Sequence, residues 1–130
     1  MQPAMPISYR IDPDRALVLT EAWGVLTDHD ILAHKANLAK DPAFEPAMAQ
    51  LTDVRRIERL DVTAAGVRAM VAHDTAHAER RAGHRLALVV PSDSAFGMAR
   101  MYQLMGGQDE GGVGVFRSME EAREWLSRII

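Results

Sequence analysis

Apolar and polar positions alternate through the first two dozen residues in the manner of short strands. ISYRID (7–12) and ALVLTEAW (16–23) are β-rich runs, and Asp12-Pro13-Asp14-Arg15 between them carries turn chemistry, so the pattern predicts an antiparallel hairpin. The period then changes. Ile31, Leu32, Lys35 and Leu38 recur at helical spacing after Thr27, whose hydroxyl is placed to accept from the backbone N–H of Asp30. Asp28 and Asp30 favour the positive end of that helix, and Asp41-Pro42 ends it. AMAQLTDV (47–54) reads as a strand and residues 55–60 as a connection or a short extension. A second helix is predicted from Thr63 to Arg81. RLALVVPS (85–92) is apolar on both faces, which suits a central, parallel strand. A third helix covers 95–105, VGVF (113–116) is a short strand, and Ser118 caps a final helix, MEEAREWLSRII.

After the hairpin, helices and strands alternate, so the expected fold class is α/β: a mixed, mostly parallel sheet of about five strands with about four crossover or flanking helices. Ligands and partners of such sheets usually meet the carboxyl ends of the strands. That edge is expected to carry Asp53 and Arg55, then Ser92 and Asp93, then Arg117 and Ser118.

Composition narrows the classes. The 130 residues suit one domain, 1–130, with a single core. A formal charge of −3 argues against non-specific nucleic-acid binding and against an anionic-membrane role, both of which need a basic face. No run approaches the roughly 18 apolar residues of a membrane span, and MQPAMPISYRID lacks the basic and apolar regions of a signal peptide. The chain has no cysteine, which removes disulfides, thiol nucleophiles and cysteine-held metals, and a cytoplasmic location is the default.

Candidate chemistry is sparse. HDTAH (73–77) spaces two histidines as a zinc-binding helix does, with Asp74 where a catalytic glutamate would stand. Along that helix Ala64, Val67, Val71, Ala78 and Ala82 form the expected buried stripe, so His73 and His77 are expected to face water without a third ligand, and no metal is expected. GGQDEGGVG (106–114) carries two acids, lacks a lysine and leads into a strand, the opposite of a phosphate cradle. Ser92, Asp53 and a histidine could make a triad only on paper, because no G-x-S-x-G elbow supports it. No enzyme activity and no cofactor are expected.

The third helix says more. Met98, Met101 and Met105 fall on one face, and Phe96, Ala99, Arg100 and Gln103 on another. The methionines read as core or as an adaptable pocket wall. Phe96, Arg100 and Gln103 read as a contact surface for a partner, although Phe96 could equally staple the helix start to the core.

DPAFEPAMAQLTDVR (41–55), RLALVVPSD (85–93) running into SAFGMARMYQ (94–103), and VFRSMEEAREWL (115–126) together resemble the SpoIIAA-like family of small bacterial STAS-fold proteins, from about Tyr9 to Leu126. The resemblance implies a mixed sheet wound as a β/α superhelix, with helices mainly on one face. Relatives include anti-anti-sigma factors, whose phosphorylatable serine stands in a D-S-S-G context at a helix start. In LDVTAAGV (60–67) Thr63 is the comparable hydroxyl, in a different spacing and residue type, and is the possible phospho-acceptor; as a plain residue it reads as an N-cap. The resemblance implies a non-catalytic regulatory or protein-interaction module, with a second copy of the chain or another protein as partner. The alternative is a carrier or sensor of a small apolar or anionic, lipid-like ligand near the methionine-rich helix, since STAS folds look like lipid-binding CRAL-TRIO domains. A tightly packed methionine stripe favours the first, and a cavity beside it the second.

Overall fold

The turn at Asp12 closes through its own side chain: the Arg15 N–H donates to Asp12 Oδ1 at 3.2 Å and the Ala16 N–H to the Pro13 carbonyl at 3.3 Å. It joins β1 (Ile7–Asp12) to β2 (Leu17–Thr27) as an antiparallel hairpin. A computed structural model describes residues 6–76, 85–106 and 112–128. Beyond the hairpin come α1 (Asp28–Lys40), β3 (Ala49–Asp61), α2 (Ala64–Ala76), β4 (Leu86–Val89), α3 (Asp93–Met105), β5 (Val113–Phe116) and α4 (Met119–Ser127). The strands lie in the order β1-β2-β3-β4-β5, and every pairing after the first is parallel.

Each helix start is chemically marked. Thr27 and Asp30 form a reciprocal capping box at α1, Ser92 accepts from the Ala95 N–H at α3, and Ser118 accepts from the Glu121 N–H at α4. The α1 end meets Asp41, as the Asp-Pro pair predicts.

One expectation needs correction. Of the two readings of residues 55–60 the connection fails and the extension holds, because β3 runs unbroken to Asp61 beside the far half of β2. Between the pairs Glu21/Asp53 and Trp23/Arg56, two steps on β2 face three on β3, and the same excess recurs between Gly24/Ile57 and Val25/Arg59. These two bulges on β3 break the period of two, so Ile57 and Leu60 lose the alternation that would mark a strand.

Three helices cover one face and one covers the other. On the first, Ala22, Leu26, Val54 and Val90 meet Ala95, and Val67, Met70 and Tyr102 meet Leu86 and Val113. On the second, Leu51, Ala87 and Val89 meet Ala122, with Trp125 and Phe116 beside them at a ring separation of 5.5 Å. The alternation of Leu86 and Leu88 with Ala87 and Val89 assigns β4 to both cores.

The α2 stripe also differs from expectation. Gly66, Val67 and Met70 are its buried residues, Ala64 is exposed, and Ala78 and Ala82 lie outside the described residues. The row through Gly66, Val67, Met70 and Asp74 faces inward, which turns His73 and Asp74 towards α1 and α3.

Candidate functional site

Between the sheet and the roof of α1, α2 and α3 lies a cavity of about 170 Å³. Its walls are mostly apolar: Leu26 and Val54 from the sheet, Ile31 and Leu38 from α1, Met70 from α2, Met98 and Ala99 from α3. Its floor carries two uncharged polar side chains of β3, Gln50 and Thr52.

A charged cluster is built into one side, one residue per helix. The Lys35 ammonium (α1) lies 3.2 and 3.3 Å from the two carboxylate oxygens of Asp74 (α2), and it donates to the Tyr102 hydroxyl (α3) at 3.2 Å. The Tyr102 hydroxyl in turn donates to Asp74 Oδ2. The ammonium also stands 5.0 Å from the centre of the Tyr102 ring. Side-chain exposures of 16 % for Lys35 and 12 % for Asp74 make this an ion pair largely removed from water. Burial raises the Tyr102 pKa; the charge of Lys35 opposes that rise and Asp74 reinforces it. His73 Nδ1 lies 3.6 Å from Asp74 Oδ1.

His34 borders the same cavity and meets the edge of Tyr9 at 5.6 Å between ring centres. Burial, helped by the neighbouring Lys35 charge, lowers its pKa to about 4. Tyr9 donates to Asp41 at 2.6 Å, and burial followed by that hydrogen bond and the carboxylate charge pushes the phenol up to about 12. Asp41 is held below its usual range by the Tyr9 hydroxyl and the Ala43 N–H.

The sequence-derived candidates fall in several places. His73 does not face water, because the stripe of α2 turns it towards the cavity; His77 lies outside the described residues. Among the described residues no group of three metal-ligating side chains forms. Met98 lines the cavity, Met101 packs beside it, and Met105 is 40 % exposed, so the methionine row is not one wall. Gln103 is 2 % exposed and cannot belong to a contact surface: its amide donates to the Val113 carbonyl and its oxygen accepts from Arg100 at 2.5 Å. Phe96 is half-buried against the Ala22 and Val90 cluster. The α3 helix is rolled so that Ala95, Ala99 and Tyr102 face inward, which carries Phe96 and Gln103 in with them.

Asp53 and Arg55, expected at a strand end, lie inside β3, because the strand runs on to Asp61. Arg55 grips Asp53 at 2.9 and 3.0 Å and also donates its backbone N–H, which together keep the Asp53 pKa low against the raising effect of burial. Asp93 pairs with Arg117 at 2.6 Å, and Ser92 is the α3 cap. Asp53 borders a second groove, of about 500 Å³, with Arg10, Arg123 and Glu21, on the α4 face and away from the first cavity.

Thr63 caps α2: its hydroxyl accepts from the Gly66 N–H at 2.9 Å and donates to Asp28 Oδ2 at 2.7 Å, while its own N–H donates to Asp28 Oδ1 at 3.0 Å. Gly66 makes room for that carboxylate, since a Cβ there would stand 2.0 Å from Asp28 Oδ1. Alanine in place of a helical glycine ordinarily gains up to about 1 kcal/mol. Here the clash decides the sign. Gly66→Ala is expected to cost about 2 kcal/mol in denaturant unfolding. In an Asp28→Ala background the same change should be neutral or stabilising; an equal cost in both backgrounds refutes the packing account.

No protein-family model matches the chain, and no curated protein sequence matches it significantly. Among solved structures, an uncharacterised protein of the DUF3478 family with a SpoIIAA-like fold, from Shewanella loihica PV-4, superposes with a TM-score of 0.61 at 17% identity, over 97% of this chain and 98% of the other. The chain has a SpoIIAA-like fold. The anti-sigma factor antagonist SpoIIAA in its unphosphorylated form superposes with a TM-score of 0.58 at 18% identity, over 95% of this chain and 99% of that one. The SpoIIAA-like fold accounts for the five-stranded mixed sheet with four helices and leaves the cavity contents to the side chains of this chain. Among the described residues no helix is long and apolar enough to cross a membrane.

Proposed function

We propose that the chain is a non-catalytic binding module that carries or senses a small, mainly apolar molecule in the cavity beneath α1, α2 and α3. The observation behind this reading is the cavity itself, which opens beside Met98 where a regulator working only through its surface needs a filled core. An apolar cavity of about 150 Å³ holds a benzene ring. At about 170 Å³ the ligand is a compact molecule and not a long acyl chain.

Toluene should therefore bind saturably, with backbone amide shifts in the NMR spectrum centred on β3, β4 and the three covering helices. Ala99→Phe, which places a ring in the cavity, should remove that binding while the circular dichroism spectrum stays native. Absence of saturable binding to the wild-type chain overturns the reading.

A second reading, a protein-contact module, is favoured by Leu104 and Met105, which are 64 % and 40 % exposed at the end of α3. SpoIIAA is named for antagonising an anti-sigma factor. Native mass spectrometry of freshly purified protein reports retained small molecule and subunit number together, and so weighs the two. Either reading treats Thr63 as a cap, because a phosphate on it would compete with Asp28 for the same backbone N–H.

A further inference from the structure

The polar groups around the cavity differ in what they leave available. Lys35 is the cation nearest to any ligand, but its charge is balanced by both oxygens of Asp74, and Tyr102 closes the triangle by accepting from one and donating to the other. Lys35 and Asp74 offset each other's charge and are mostly shielded from water. A carboxylate entering beside them either adds an unbalanced charge in a poorly solvated place or displaces Asp74, leaving that anion buried without its partner.

The floor offers the opposite chemistry. Gln50 and Thr52 line the cavity, and their side chains make no hydrogen bond among the described residues. An apolar cavity with a strip of uncharged donors and acceptors along one wall suits a molecule with an apolar body and one neutral hydroxyl or amide.

We propose that the cavity selects a compact, neutral, hydroxyl-bearing molecule, an aromatic alcohol in its simplest form, and discriminates against carboxylates of the same size. This rests on the ligand-binding reading above and deepens it: the ion pair of Lys35 and Asp74 excludes anions, and the β3 floor holds the hydroxyl.

The test compares three probes of similar shape on the wild-type chain by NMR titration near pH 7, where benzoate is ionised. Benzyl alcohol should bind at least as tightly as toluene and at least about tenfold more tightly than benzoate, a factor that corresponds to roughly 1.4 kcal/mol. Asp74→Asn keeps the shape and removes the negative charge beside Lys35, so it should shift the ratio of benzoate to benzyl alcohol affinity upward by about tenfold or more. Benzoate binding as tightly as benzyl alcohol to the wild-type chain overturns the exclusion of anions, with the cavity reading intact. Toluene binding more tightly than benzyl alcohol overturns the role of the floor. Failure of all three probes to bind removes the cavity reading and this inference together. If Asp74→Asn does not fold, the wild-type order of affinities decides alone.

Discussion

Asp74→Leu is expected to destabilise the chain by about 3–5 kcal/mol, because it takes the Asp74 carboxylate from a Lys35 side chain that is 16 % exposed. Lys35→Met should cost about the same for the mirrored reason. The double variant Lys35→Met, Asp74→Leu is the informative one. With both charges gone, two apolar side chains of similar length occupy the roof of an apolar cavity, and the combined loss should be far smaller than the sum, within about 1–2 kcal/mol of wild type. The measurement is a double-mutant cycle by chemical denaturation. Additive losses would mean that the pair is not a coupled unit and that the charge balance of Lys35 and Asp74 has no energetic basis.

Acid should weaken the fold through His34 before it acts on Asp41 and Asp53. His34 has a folded pKa of about 4, against 6.5 for the free side chain. Between those values the unfolded chain binds a proton that the folded chain refuses, so stability rises with pH across that window. The contribution is complete above about pH 6.5 and lost as the pH falls towards about 4, up to roughly 3 kcal/mol in all. Asp41 and Asp53, whose pKa values are lowered from 3.8, add their losses below that range, as the pH falls under 3.8. His34→Phe keeps a ring against Tyr9 and should flatten the stability profile between about pH 4 and 6.5. A slope unchanged by that substitution assigns the acid sensitivity to another group.

The strand and helix order was legible because its signals are local. Thr27, Ser92 and Ser118 each satisfy an N–H three residues on, and the Asp12 turn closes within four, so a short window contains the whole cause. The far half of β3 was hidden because its cause is the bulged pairing to β2, which no window of β3 contains. The site was hidden for a related reason. Lys35, Asp74 and Tyr102 are 28 to 67 positions apart, and only the fold brings them together. One signal was present: Lys35 stands inside the apolar row of Ile31, Leu32 and Leu38, where a charge needs a partner from elsewhere. The roll of α3 separates the three methionines, because Ala95 and Ala99 face the sheet: Met98 lines the cavity, Met101 packs in the Tyr102 cluster and Met105 is 40 % exposed.

The spatial order of the strands is also their order in the chain. No strand has to enter between two that are already joined. Each new strand adds to the open side of the one before it, so the chain entropy lost at every addition is that of closing a single crossover. Contacts in such an arrangement stay shorter in sequence separation than in a sheet whose middle strand arrives last, which lessens the slowness of parallel pairing. The cavity is completed only when α3 docks, because Met98, Ala99 and Tyr102 supply its last wall. Ligand competence thus requires α3 docked on the sheet together with the ion-pair partners on α1 and α2.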